Sequence, residues 1–362
     1  MGELFGGVER HVLGLLQGFR AAGIAAQLIL FHDAELSAQA AKQGDVPAIL
    51  PEGNIDFLAT VRRLADLLRS KEIRLVHVHG YKAGVFCALA RLIYRFSIVK
   101  TEHGLPEPLR GNQIRGIRDR AYRAIDILAT QAVRASICYV SRDLQTYYRH
   151  AHFGLPKVVI ANGVAPMEPT TFPRPKEYAS GVTNLAIIGR LDPVKGHEFA
   201  IRALAMPAVP ANIELHIVGN GPDEDRLRSM VADLDLSPRV HFLGFRRDIY
   251  DFIAHCDVLL MPSLHEGLPY TLIEGMALGR AIVASRVGGL SEVLEDGKTA
   301  VLAPPGDVSA LAAALQRVSQ DDSLRRSLGE HARSVQRERY SLEAMSRAYL
   351  SIYQHRLATG RS

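Results

Sequence analysis

Apolar and polar positions along this chain follow two periods in turn. Short apolar runs rich in β-formers stand at Leu75–Gly80, Ser97–Gly104, Ser136–Ser141 and Lys157–Val164. Between them apolar residues recur every three or four positions, which predicts helices over 56–70, 82–94 and 113–133. The third helix follows a loop rich in proline and arginine. From 165 to 183 the periodicity stops and four prolines intervene, the mark of an interdomain linker. A second series follows, with strands at Leu185–Arg190, Glu214–Gly219, Val240–Gly244, Val258–Pro262, Ala281–Ser285 and Ala300–Pro305. Three helical stretches close the chain, over 307–319, 323–337 and 342–355. Strands that alternate with helices build a parallel sheet covered on both faces. The expected class is therefore α/β, with two doubly wound, Rossmann-like domains facing a central cleft. The first covers 1–168, a linker 169–182 and the second domain 183–338, and 339–362 forms a C-terminal helix that packs back on the first domain.

The start of the chain breaks the pattern. Residues 6–23 read as a glycine turn leading into an amphipathic helix, and Ala25–His32 as a strand. In an α/β domain such a turn follows a first, central strand, but only Met1–Phe5 precede it here. The first strand of the N-terminal domain is expected to be missing, through truncation or a misplaced start. The first ten residues carry no apolar leader, and no run nears the ~18 apolar residues of a membrane span.

Composition adds little until it is localised. The 362 residues are 48% hydrophobic and 22% charged, which fits ordinary globular domains. Cys87, Cys138 and Cys256 sit in apolar surroundings without metal-ligand spacing and read as reduced core thiols of a cytoplasmic protein. Net charge is +5, yet 91–149 holds eleven Lys or Arg against five acids, so the rest of the chain is near neutral. Such a stretch is either a solvated face or a surface for anionic lipid or a phosphorylated acceptor. No motif points to nucleic acid.

Candidate chemistry gathers at predicted strand ends. Met261–Ser285 reads as strand, turn, helix and strand, with Glu266 in the turn and Glu274 in the helix. Pro269 suits the first helical position, and Gly279 a left-handed stop. Backbone amides near Leu268–Thr271, at the positive end of the helix dipole, suit an anion. Each glutamate is equally readable as a solvated one. Gly189–Gly196, GRLDPVKG, brings Arg190 and Lys195 off a strand, a pair suited to a diphosphate. GNGPDE over 219–224 lacks the third glycine of a dinucleotide turn, Glu224 standing in its place. His103, in TEHGLPEP, is either a ligand-contacting, proton-managing group or a hydrogen-bonded structural histidine. His77 and His79, spaced i, i+2 without a third ligand, do not make a metal site. Gly6–Gly7 before a helix is a weak phosphate contact.

These motifs resemble those of the retaining nucleotide-sugar glycosyltransferases of family 4, which have the GT-B fold. GGVERH, HVHGYKAG, TEHG, CYVS, ANGV, GRLDPVKG, IVGNGP, HFLG and HEGLPYTLIEGMALG occur in the family's order over nearly the whole chain. The resemblance implies that Glu274 binds the ribose diol and Glu266 the donor sugar. Arg190 and Lys195 would hold the diphosphate, Leu243–Gly244 the base, and the Gly267–Leu268 turn the donor. His103, Gly6 and Gly7 would lie on the donor–acceptor side. It further implies transfer of a hexose, from a UDP-sugar in preference to a GDP-sugar, to a glycan or lipid-linked acceptor in cell-surface polysaccharide assembly. No cofactor or metal is expected, and localisation is cytoplasmic or peripheral on the inner membrane face. A sugar-nucleotide epimerase and an inactive GT-B scaffold subunit are the alternatives.

Overall fold

The computed structural model describes residues 6–32, 35–50, 56–104 and 113–359, with the backbone alone for 113–119. The expected missing strand before Gly6 and the Pro- and Arg-rich loop over 105–112 lie outside the described residues. The chain divides into two units, Met1–Asn162 with Leu342–Ser362, and Gly163–Ser341.

The first unit opens with α1 (Gly7–Ala21), β1 (Ile29–Leu30), α2 (Glu35–Lys42), β2 (Ala48–Ile49) and α3 (Phe57–Ser70). It continues through β3 (Leu75–His79), α4 (Tyr81–Ala90), β4 (Ser97–Glu102), α5 (Gln113–Ala132), β5 (Ser136–Tyr139), α6 (Arg142–Tyr147) and β6 (Lys157–Val159). Strands β3-β4-β5-β6 form a parallel sheet in that order, and β1-β2 a separate parallel pair. Strands covered on both faces are buried along their length, and β4 is buried from Ser97 to Thr101. Its two faces differ in chemistry because successive side chains alternate. Lys100, 2% exposed, lies 2.5 Å from Asp126 and 2.8 Å from Glu102. Burial opposes its charge, but the two carboxylates outweigh that and hold the ammonium pKa above its usual value. Thr101 and His103 point to the other face.

The second unit runs β7 (Thr183–Ile188), α7 (His197–Leu204), β8 (Ile213–Val218), α8 (Glu224–Asp233), β9 (Val240–Gly244), α9 (Ile249–His255) and β10 (Val258–Met261). It ends with α10 (Tyr270–Ala277), β11 (Ala281–Ser285), α11 (Gly288–Val293), β12 (Val301–Ala303), α12 (Val308–Gln320) and α13 (Asp322–Arg339). All its strands are parallel, ordered β9-β8-β7-β10-β11-β12. The order reverses between β7 and β10, and a crevice opens at the carboxyl ends of such a pair. Asp307 and Asp321 cap α12 and α13 by accepting from the amides of Ala310 and Leu324. The stretch 169–182 packs on this unit. Tyr178 is buried, donates to the Phe252 carbonyl at 2.9 Å and lies edge-on to His216.

Helix α14 (Leu342–Ala358) belongs to the first unit and packs on α1 and β4. A Cβ on Gly18 of α1 would come within 1.9 Å of Ser346 Oγ, so glycine there permits the close crossing. The three cysteines are free and buried, and burial pushes each thiol up to about 12, so they are inert core residues.

Candidate functional site

Two turns meet at the reversal point of the second sheet. The chain leaves β7 at Gly189 and Arg190, and Asp192 caps a short 3₁₀ turn, Pro193–Lys195, by accepting from Val194 N at 3.2 Å. The chain leaving β10 turns through Ser263 to Glu266. Leu264 N donates to the Val194 carbonyl at 2.8 Å, which pins the two turns together by backbone. Gly196, at φ +70°, makes this approach feasible, since a Cβ there would lie 1.9 Å from the Pro262 carbonyl oxygen. Lys195 Nζ then donates to Glu266 Oε1 at 2.7 Å, and Ser263 Oγ to the same oxygen at 2.8 Å. Glu266 is 8% exposed and its charge is compensated on the spot. Arg190 is 46% exposed, with its guanidinium 3.6 Å from Asp192. Lys195 and Glu266 line one narrow crevice with Gly189, Ser263 and Thr271.

Helix α10 carries the other glutamate. Pro269 precedes the helix instead of opening it, because its ψ of 141° is extended and α10 begins at Tyr270. Gly279, at φ +66°, ends it in the left-handed conformation expected of that glycine. Glu274 is 1% exposed and accepts from the Tyr250 hydroxyl at 3.0 Å. Gly267 and Leu268, in the turn before α10, are held by α11. Gly289 N donates to the Glu266 carbonyl at 3.0 Å, and a Cβ on Gly289 would lie 1.6 Å from the Gly267 carbonyl oxygen.

The glycines of the 219–224 turn have a packing reason. Cβ atoms on Gly219 and Gly221 would lie 1.9 and 2.2 Å from the carbonyl oxygens of Gly189 and Leu191. They bring this turn against the one carrying Arg190 and leave no dinucleotide cradle. Leu243 and Gly244 end β9, where the Gly244 carbonyl accepts from Gly219 N at 2.8 Å.

In the first unit, His103 stands just beyond β4 and shares a proton with His79, whose Nδ1 is 3.0 Å from His103 Nε2. His77 and His79 lie on one face of β3, as i, i+2 residues must. His77 is engaged at both nitrogens, by Thr101 Oγ1 at 2.7 Å and by the Tyr353 hydroxyl at 2.6 Å. His11 of α1 joins them, its ring centroid 4.7 Å from that of His103 and its Nδ1 3.0 Å from Asn162 Oδ1. Burial pushes His11 down to about 4 despite the Asn162 bond. Burial, and then the neighbouring imidazoles, hold His77, His79 and His103 well below the usual histidine range, so all four are neutral at pH 7. Gly6 N donates to Glu9 Oε2 at 3.0 Å, so Glu9 occupies the amide that a phosphate would need, and Gly7 starts α1. Among the described residues, the close groups of three metal-ligating side chains are His11, His79, His103 and Glu214, His216, His241. Arg190, Lys195, Glu266 and Glu274 belong to neither.

The sequence brings Arg190, Lys195, Glu266 and Glu274 to one sheet edge without naming the groups that hold the glutamates. Ser263 lies only three residues before Glu266, and Tyr250 on α9 has no sequence signal. His11 carries one. It lies on the same helical stripe as Leu15 and Phe19, all buried.

Comparison with known proteins agrees with the two Rossmann-like units. The first unit matches the family model "Glycosyltransferase Family 4" over residues 5–167, and the second matches "Glycosyl transferases group 1" over 173–335. The chain is 30% identical over 364 residues to the phosphatidyl-myo-inositol mannosyltransferase of Mycolicibacterium smegmatis, covering 96% of this chain and 90% of that one. It is 27% identical over 310 residues to the N-acetyl-alpha-D-glucosaminyl L-malate synthase of Bacillus anthracis, covering 82% and 78%. The crystal structure of Anabaena HepE in complex with UDP superposes with a TM-score of 0.81 at 21% identity, covering 98% of both chains.

Proposed function

The chain belongs to the group 1 and family 4 glycosyltransferases, built as two Rossmann-like domains of GT-B type, and on that premise we propose that it moves a hexose from a UDP-sugar to a glycan or lipid-linked acceptor with retention. The observation that carries the proposal is the junction of Lys195, Ser263 and Glu266 at the β7/β10 reversal, with the buried Glu274 on the next helix. In this reading Lys195 leaves Glu266 for the donor diphosphate, Arg190 joins it, and Glu266 turns to the sugar hydroxyls. Glu274, steadied by Tyr250, accepts from the ribose diol, and Leu243–Gly244 meet the base. As the C1–O bond breaks, charge builds on the diphosphate. The two cations and the amides at the start of α10 stabilise it without a metal, and one such donor contributes about 3 to 4 kcal/mol. The acceptor hydroxyl attacks the same face and gives its proton to the departing phosphate, while His103 contacts the sugar.

Support for UDP comes from the Anabaena protein, solved with UDP and with UDP-glucose. Support for a lipid-linked acceptor comes from the mycobacterial relative, named for phosphatidyl-myo-inositol, and from α5. There Tyr122, Ile125 and Leu128 are exposed at three-residue spacing beside Arg120 and Arg123, a face suited to an anionic membrane surface. No helix among the described residues is long and apolar enough to cross a membrane.

A panel of UDP- and GDP-sugars scored by thermal unfolding tests the donor. UDP-sugars should stabilise by about 2.7 kcal/mol at a hundred times Kd. Protection by none of the panel would sink the reading, and protection by GDP-sugars alone would overturn the base. An inverted anomeric centre in the product would refute retention. Sedimentation with vesicles should depend on anionic lipid; equal recovery without it would reduce the α5 face to a solvated one.

A further inference from the structure

We infer that His11, His79 and His103 form a binding site for a borderline divalent cation of the zinc type. Each offers one ring nitrogen, and these atoms all lie within 4.8 Å of one another. Two of them, His79 Nδ1 and His103 Nε2, are already 3.0 Å apart. Ligand nitrogens on a tetrahedral zinc stand roughly 3.3 Å apart, from bond lengths of about 2.0–2.1 Å. A small opening of the His79–His103 pair, with the proton between them shifted to the far nitrogen of the ring that carries it, therefore admits the ion. Side-chain rotation closes the remaining gap to His11.

The donor set chooses the metal. Three imidazoles and no carboxylate suit zinc, cobalt, nickel or copper, and reject magnesium and calcium. The supporting layer is also present. With Asn162 Oδ1 facing His11 Nδ1 at 3.0 Å, Nδ1 is the donor and Nε2 carries the lone pair, the arrangement in which a metal-ligating histidine is steadied by a carbonyl behind it. His77 is kept out of the set because Thr101 and Tyr353 take its two nitrogens. The three ligands come from α1, the last residue of β3 and the residue after Glu102, so the ion ties a helix to a sheet edge. Three protein ligands leave a fourth position for water or substrate oxygen. The other such group, Glu214, His216 and His241, is already closed internally. His241 Nε2 lies 3.1 Å from Glu214 Oε2, and His216 Nε2 lies 3.2 Å from Asn184 Oδ1.

One consequence rests on the proposed function. His103 cannot serve a metal and a donor sugar together, so zinc occupancy inhibits transfer. The site itself is tested without activity, so its failure and that of the transferase reading are distinguishable. The full chain, freed of metal by chelation, is titrated with Co²⁺ and followed by its visible ligand-field bands, with Zn²⁺ as competitor. One equivalent should produce the bands of a nitrogen-rich, low-coordinate site, and zinc should abolish them. His79→Gln and His103→Gln should each weaken binding by more than about 100-fold, and Asn162→Ser by roughly 10-fold, as a supporting partner does. His241→Gln should leave the bands intact, and circular dichroism identifies any variant that fails to fold. Absence of bands in the parent protein overturns the site. So do bands that survive in both folded ligand variants, or bands lost in His241→Gln instead.

Discussion

The two units hold their candidate residues in different ways. In the second, Lys195 and Glu266 meet because backbone meets backbone. The Leu264–Val194 hydrogen bond and the glycines at 196 and 289 fix two turns before any side chain is chosen. In the first, the β3–β4 ladder sets His79 beside the end of β4, but His11 comes from α1 and side chains alone join it to His79 and His103. A site fixed by backbone should tolerate changes of pH and fail when a glycine is filled. One fixed by buried neutral imidazoles should do the reverse.

Acidification should produce the largest difference. Burial lowers five histidines in the first unit (His11, His77, His79, His103 and His152) and two in the second (His197 and His216). Each is neutral when folded and gains a proton near pH 6.5 when unfolded. Its contribution is therefore present above pH 6.5 and lost as pH falls from there toward its lowered folded value, at up to about 1.4 kcal/mol per pH unit. Amide exchange at pH 7.5 and 5.0 should show the first unit losing protection by several kcal/mol more than the second. Earlier loss in the second unit would break the comparison.

Filling a glycine comes next. Gly289→Ala puts a methyl 1.6 Å from the Gly267 carbonyl and should cost about 3 kcal/mol or more. Gly104→Ala, beside His103, meets nothing within 4 Å and should stay within about 0.5 kcal/mol. Thermal melts of the pair check this; equal losses would mean that backbone approach does not hold the donor turn. Comparable in free energy, Lys195→Ala should lower kcat by roughly 10²–10³-fold, the range of a lost oxyanion donor. Single-turnover rates that stay unchanged would remove Lys195 from the chemistry.

Much of this was legible in the sequence where structure is local. Strands Val240–Gly244 and Ala281–Ser285 match to the residue. Most other elements end within two or three positions, because apolar period and glycine punctuation are local signals. The Ala25–His32 run gave only Ile29–Leu30, since strand length is set by the partner and β2 is itself two residues long. In the candidate site, Arg190, Lys195, Glu266 and Glu274 could be read because each lies just past a strand end or within the helix that follows one. Tyr250, Asn162 and the convergence of His11 on His79 and His103 could not, since they depend on how separate elements pack. In sequence His79 had only His77 beside it; the fold brings His11 and His103 to His79 and gives His77 to Thr101 and Tyr353 instead.

In the proposed function the second unit binds the nucleotide through Glu274. Calorimetric titration of UDP into the full chain, Glu274→Ala and His103→Ala tests it directly. Glu274→Ala should lose affinity by about tenfold or more, the value of one charged hydrogen bond, while His103→Ala should bind UDP as the parent does. Unchanged affinity in Glu274→Ala, or a loss confined to His103→Ala, would contradict it.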